Sequence, residues 1–352
     1  MRAVVIKQPG EAGLTDMEPP SVGPEEVLIR SHGAGICGSD VELYQGTRPA
    51  DYTRYPVVPG HEWSGAVAEV GERVRGLKPG DKVVSEGFVY CGLCDNCHNG
   101  LTNLCEAGYN EVGFTRPGGF AELVAVPARL VHKLPPEADL SQAALLEPTS
   151  VAADSFLRCQ PRPGDTIVVI GDGAIGQLAV HLARLHSPAA IVLVGSRDAR
   201  LELGRKMGAT HTANYHRDDP AAMVRDLTSG RGADWVFEGA GKAQAVEQAF
   251  ALAKRSGVVA LQGIAGEGAS LAIDPDMFAL KHLTVIGTFG ANSAAWTYAV
   301  QLFSAGLLRL APLITHRYAL PEYQTALDKL VSKEPGTLKI LVTHNHPQGA
   351  AR

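Results

Sequence analysis

Residues 166–185 read TIVVIGDGAIGQLAVHLARL, and this stretch decides the fold. An apolar run, Thr166 to Ile170, leads into Gly171-Asp172-Gly173-Ala174-Ile175-Gly176. Ile175, Leu178, Ala179, Leu182 and Leu185 then recur at helical spacing. A G-x-G-x-x-G pattern alone is weak and fits any tight turn. Between a buried strand and a helix it predicts a dinucleotide site. The first glycine permits the sharp turn, the second lets a pyrophosphate approach the backbone, and the third lets helix and strand pack closely. The helix start then offers N–H groups to phosphate.

The same character holds on both sides of this stretch. From about Pro161, apolar runs alternate with helical patterns: AAIVLVG, a helix through Leu203 to Met207, then DWVFEGAG, GVVALQG and LTVIGTFG as further buried strands. Continuous Val/Ile/Leu runs followed by helices predict a parallel sheet covered on both faces, an α/β doubly wound domain. The first 150 residues differ. MRAVVIKQPG opens with a strand, and VLIR, SGAVAEVG, DKVV and FAELVAV are short strands broken by GPEE, LKPGD and RPGG. Several short strands with turns predict an antiparallel, barrel-like domain. A helical segment from Ala294 to Gly306 and a last strand in LKILVTH are expected to return to that first domain. The expected division is 1–153, with a metal lobe at 88–108, then 154–289, then 290–352. The final NHPQGAAR reads as a disordered tail.

Composition bounds the partners. The chain has 352 residues, 45% apolar and 20% charged, with net charge −5, as in an ordinary two-domain globular protein. No stretch concentrates Lys and Arg, so nucleic acid is not expected as a partner. The N-terminal apolar run is too short for a signal peptide or a membrane span, so a reducing cytoplasm and no membrane partner are expected.

Cys91, Cys94, Cys97 and Cys105 lie in CGLCDNCHNGLTNLC. Four thiols at this spacing can surround one tetrahedral ion, and soft thiolates suit zinc. Two disulfides are the alternative, disfavoured by Cys-x2-Cys spacing without an export signal. Four thiolates fill the coordination shell, so this site is structural and catalysis must lie elsewhere.

Cys37, in Ile36-Cys37-Gly38-Ser39-Asp40, and His61, in Pro59-Gly60-His61-Glu62, offer a thiolate and an imidazole; Glu147 lies in LLEPTS. A catalytic zinc takes three protein ligands and leaves one position open. Cys37 and His61 are the strongest candidates, and spacing leaves the third as Glu62 or Glu147. Individually each reads as a buried Cys, a core His or a surface Glu. For the cofactor, an NAD site places Asp or Glu at the end of the second strand, to bind the ribose hydroxyls. Here Gly195-Ser196-Arg197 stands there, which favours NADP(H) over NAD(H), because Arg197 can pair with a 2′-phosphate. In the other reading, Arg197 is a solvated charge and Asp198 serves the ribose.

GHEWSGAVAEVG (60–71), ICGSD, the four-cysteine cluster, LLEPTSV and GDGAIG occur in the order used by the zinc-containing medium-chain alcohol and polyol dehydrogenases. The chain resembles that family over nearly its whole length, and the Glu in LLEP resembles its sorbitol and threonine dehydrogenase branch. The resemblance implies a GroES-like catalytic domain, a Rossmann domain, one catalytic and one structural zinc, and a homodimer or homotetramer. It implies Cys37, His61 and Glu62 as ligands, with Glu147 bound to the metal or through water. Ser39 would carry a proton from the substrate, and Ala174, Ile175 and Lys339 would lie near the cofactor pyrophosphate with the three glycines. Glu42 stands where many members carry a proton-relaying His. The expected reaction is hydride transfer between NADP(H) and a secondary alcohol, polyol or cyclitol; an amino-alcohol substrate, with NAD(H) possible, is the alternative. A nucleotide-holding regulatory protein stapled by zinc would not need the Cys37/His61 pair. Tyr52, Phe114 and Trp296 fit the lining of a substrate pocket and, equally, core packing.

Overall fold

The computed structural model describes residues 1–344, so the expected tail lies outside the described residues. The chain forms two compact units. One contains Met1–Glu147 and the chain from Asn292; the other is Pro148–Ala291. The break falls at Glu147/Pro148 rather than the expected 153/154, within the helix Leu146–Cys159, which runs across both positions.

The first unit holds β1 (Arg2–Gln8), β2 (Glu11–Asp16), β3 (Glu26–Ile36), β4 (Glu62–Val70), β5 (Lys82–Ser85), β6 (Leu123–Pro127) and β7 (Val131–Lys133). The end of the chain adds β14 (Ile314–Ala319) and β15 (Lys339–Thr343). β1 and β2 form a hairpin, turning at Gly10 with φ 78°, a conformation that suits glycine. The larger sheet runs β14-β15-β3-β4-β5-β7. β3 organises it: β4 pairs along one edge, while β6 and then β15 share the other. The pairings are antiparallel as expected, except β14 with β15, which is parallel because a helix, Tyr323–Val331, crosses between them. Its core holds Ile29, Ile36, Trp63, Val83, Phe120 and Ile340. Each such side chain contributes about 1.5–3 kcal/mol by leaving water.

The second unit holds β8 (Thr166–Ile170), β9 (Ala190–Gly195), β10 (His211–Asn214), β11 (Ala233–Glu238), β12 (Ala253–Leu261) and β13 (Thr284–Gly287). All pair in parallel, in the order β10-β9-β8-β11-β12-β13. The order reverses between β8 and β11, where a doubly wound sheet opens its ligand crevice at the carboxyl ends of the strands. β8 and β9 are buried throughout, as their unbroken apolar runs require. LTVIGTFG is the exception to the expected burial. β13 is an edge strand with three of its four residues exposed, since no strand follows it in the sheet. Among the described residues no helix is long and apolar enough to cross a membrane.

Candidate active site and structural metal centre

Strand register assembles the first centre. Gly35 pairs with Glu62, and Ile36 pairs with Ile340, so Cys37, His61–Glu62 and Lys339 meet at one end of β3. Gly35 leaves the room for them: a Cβ there would push on the Glu62 carboxylate and crowd the Lys339 stem. Cys37 caps the helix Gly38–Gln45, and its N–H donates to Asp40 Oδ2 at 2.8 Å. Cys37, His61 and Glu62 bring one donor atom each within 4.8 Å of one another. Glu147 lies outside that set; it is partly buried, and electrostatically coupled to His61 and Glu62.

The donor chemistry fits a divalent cation. Burial, aided by Glu62 and Glu111, pushes the Glu147 carboxyl up to about 8. Burial opposes a charged His61, yet Asp40, then Cys37 and Glu147, outweigh it and raise the imidazole pKa well above its ordinary value. Buried acids so crowded call for positive charge. Asp40 is fully buried, with Oδ1 3.7 Å from His61 Nδ1, and neither atom has a hydrogen-bond partner. A carboxylate facing Nδ1 orients the ring and leaves Nε2 for a metal.

Lys339 corrects the expected pyrophosphate contact. It is 4% exposed, and Nζ lies 2.6 and 2.7 Å from the two Glu62 oxygens. Burial disfavours the ammonium, but Glu62 and Cys37 outweigh it and raise its pKa. The pairing of β15 with β3 carries this lysine to the cluster of Cys37, His61 and Glu62. Ser39 is half-buried in the first turn of its helix, and Glu42 is exposed one turn on. Phe114 is buried against His61, with ring centroids 4.7 Å apart. Trp296 is buried and stacks on His132, and Tyr52 is 37% exposed.

In the second unit, the carboxyl ends of β8 and β9 border a cavity of about 720 Å³. Gly171, Gly173, Ser196 and Arg197, four of the expected cofactor residues, line it. Gly171 has φ +114°, and a Cβ there would lie 2.9 Å from Ala240 N. Nothing lies within 4 Å of a Cβ built on Gly173, which leaves its face open to a ligand. A Cβ on Gly176 would overlap the Gly171 carbonyl, so this glycine serves packing. Ala174, Ile175 and Gly176 form the first turn of the helix Ala174–Ala183 and do not line the cavity, and neither does Lys339. Asp198 is also absent from the lining. Its oxygens take two Arg217 N–H groups at 2.7 and 2.8 Å, which hold its pKa at about 2.

Other residues emerge only in three dimensions. Asp172, inside the glycine motif, accepts the Ser196 and Arg197 backbone N–H groups at 2.8 and 2.9 Å. Its Oδ1 lies 3.9 Å from Arg197 and 3.7 Å from Arg200. Arg200 and Lys242 line the cavity as well. Arg200 was findable, since i and i+3 share a helix face and Arg197 precedes the helix Asp198–Met207. Asp40 was findable as the N3 partner of a capping cysteine. Glu111 had no local signal.

Cys91, Cys94, Cys97 and Cys105 bring their sulfurs within 4.8 Å of one another, and all are free thiols. Backbone N–H groups point at them: Leu93 and Cys94 toward Cys91 Sγ, Glu106 toward Cys94 Sγ. The Leu93 and Cys94 N–H groups lower the Cys91 pKa to about 6, and burial pushes Cys97 up to about 12. Preformed N–H donors around clustered sulfurs fit four thiolates on one metal ion, with the backbone supporting the ligands from behind.

Comparison with known proteins agrees with this geometry. Residues 23–136 match the alcohol dehydrogenase GroES-like domain, and residues 174–305 match the zinc-binding dehydrogenase family. The chain is 34% identical over 341 residues to an L-threonine 3-dehydrogenase of Bacillus subtilis (strain 168), covering 96% of this chain and 97% of the relative. It is 31% identical over 351 residues to a sorbitol dehydrogenase of the same organism, covering 98% of each. A zinc-binding dehydrogenase of Sinorhizobium meliloti 1021, solved bound to NADP, superposes with TM-score 0.89 at 30% identity, covering 97% of this chain and 98% of that one. The chain is a GroES-like domain joined to a Rossmann domain, and it belongs to the zinc-containing medium-chain alcohol and polyol dehydrogenases.

Proposed function

We propose that this dehydrogenase transfers a hydride between NADP(H) and a secondary alcohol, polyol or cyclitol, at a zinc ion held by Cys37, His61 and Glu62, with Glu147 as the further carboxylate. The carrying observation is the cluster of those three donors within 4.8 Å, buried among more acids than cations. When bound, the metal supplies Lewis acidity toward the substrate oxygen, and the nicotinamide supplies hydride acceptance. Asp40 fixes the His61 ring. Ser39 Oγ takes the hydroxyl proton of the substrate and passes it to solvent, and Glu42, one turn on, is the exposed carboxylate nearest in sequence. A panel of polyols, cyclitols, amino alcohols and simple secondary alcohols, assayed with both cofactors, tests this. Turnover by a preparation stripped of metal would refute it. The likeness to an L-threonine 3-dehydrogenase favours an amino alcohol as the second reading.

The preference for NADP(H) draws support from Arg197 and Arg200 at the cavity, and from Asp198, which pairs with Arg217 and does not line it. A guanidinium–phosphate hydrogen bond contributes about 1.5–3 kcal/mol. Arg197→Ala is therefore expected to lower kcat/KM for NADP by ~10- to 100-fold while barely changing that for NAD. A wild-type preference for NAD refutes the assignment.

We also read two zinc ions per chain, the second in the four-cysteine lobe, and a cytoplasmic homo-oligomer. The exposed edge of β13 supports association, which light scattering on the purified protein measures. Cys94→Ser is expected to remove one zinc per chain by atomic absorption and to speed hydrogen exchange in residues 88–108. Structural zinc supplies about 10 kcal/mol or more of folding energy to small sites, so the lobe should loosen before either domain. Unchanged metal content would refute the lobe as a zinc site.

A further inference from the structure

A second charged cluster lies beside the metal centre. Arg48 has a side chain only 13% exposed, and its guanidinium carbon sits 3.9 Å from the Phe114 ring centroid. Phe114 in turn packs on His61. One aromatic ring thus separates this cation from a metal-binding imidazole. Nε donates to the Tyr52 carbonyl at 3.1 Å, and Nη2 donates to the Tyr109 hydroxyl at 2.6 Å. The Tyr109 hydroxyl donates onward to Glu111, whose carboxylate stays 3.8 Å from Nη2, too far for a direct hydrogen bond.

Nη1 is the exception. No described residue accepts from it. Solvent reaches this edge of the guanidinium, so a ligand can reach it too, while its neighbours hold the rest of the group still. Everything else about Arg48 is held: the stem end by a backbone carbonyl, one terminal nitrogen by a tyrosine, the flat face by Phe114. Such a fixed fork loses little freedom on accepting a planar or tetrahedral oxyanion.

We propose that Arg48 is the substrate-recognising residue of this site, receiving through Nη1 an anionic oxygen group, carboxylate or phosphate, carried by the alcohol. Arg48 has this role only if the metal centre oxidises an alcohol, as proposed above. Glu111 and Tyr109 then act as positioning residues that hold Nη2 and leave Nη1 free.

Matched substrates differing in one group test the assignment: D-sorbitol against D-gluconate for the carboxylate, and D-sorbitol against D-sorbitol 6-phosphate for the phosphate. Wild type is expected to favour at least one anionic member, chiefly through KM. Arg48→Gln should collapse that preference by ~10- to 100-fold, the loss of one or two charge-assisted hydrogen bonds. Arg48→Lys should retain part of it. Arg116→Gln, an exposed arginine held by Asn110, is the control expected to behave as wild type. Zinc content and circular dichroism of Arg48→Gln establish that it is folded. Thermal shift with succinate and with inorganic phosphate gives a readout independent of turnover: both the wild-type shift and its loss in Arg48→Gln are expected. Equal or better turnover of the neutral alcohol by wild type overturns the proposal, as does an equal loss on both substrates in Arg48→Gln. Failure of every alcohol to turn over would instead refute the dehydrogenase reading, while the thermal shifts would still decide Arg48.

Discussion

Cys37→Ser and His61→Ala should each lower kcat/KM by at least ~10³-fold while the protein stays folded. The size follows from the role proposed for the metal, since Lewis-acid stabilisation of developing charge contributes several kcal/mol and each 1.36 kcal/mol is a factor of ten. The fold should survive because neither side chain anchors its domain. Cys37 is only half-buried, and its capping contact with Asp40 runs partly through the backbone N–H, which Ser retains. His61 has no hydrogen-bond partner at Nδ1 to lose. Three measurements separate the outcomes: steady-state kinetics, zinc per chain, and cofactor binding by fluorescence titration. The expected pattern is lost turnover, loss of one zinc, and cofactor affinity within a few-fold of wild type. Either variant turning over normally would show that the ligand set is wrong. Loss of cofactor binding together with turnover would point to global misfolding.

Lys339→Met should destabilise the fold far more than the loss of Cys37 or His61. Removing one partner of a buried ion pair leaves an uncompensated charge, at a cost of about 3–5 kcal/mol. Glu62 is 1% exposed and would be left among Asp40, Glu111 and Glu147 without its cation. The double variant Glu62→Gln/Lys339→Met should recover a large part of that loss, because an amide in place of the carboxylate removes the stranded charge. Urea unfolding, read by hydrogen exchange in β3 and β15, measures both. A single variant as stable as wild type would mean that the metal alone satisfies Glu62. That result would transfer the weight of the interaction from Lys339 to the ion.

The chemistry of both centres was legible in the chain wherever it was local. The cysteine cluster spans fifteen residues, and the glycine turn six. Short spacing leaves few geometries, so residue type and separation suffice. The helix patterns were legible for the same reason: the expected Ala294–Gly306 segment is the helix Ser293–Ser304, opened by the Asn292 side chain accepting the Ala295 N–H. Lys339 illustrates the opposite case. As a lone lysine at the start of a strand it carried no sign of its partner, which lies 277 residues away. Arg48 and Glu111 were silent for the same reason, since neither falls in a motif. The exposure of β13 was hidden because an apolar tetrad looks the same in the middle of a sheet and at its edge.

Residue type and short-range spacing determined which groups this protein offers: four clustered thiols, a thiol and an imidazole near a carboxylate, and a turn of three glycines. Tertiary structure decided which of them meet and with what charge around them. Strand register at the end of β3 joins Cys37, Glu62 and Lys339, and burial there moves Glu147 far from its value in water. The physical reason is range. Turn and helix geometry act over a few residues, whereas pairing register and desolvation depend on neighbours that only the folded chain supplies.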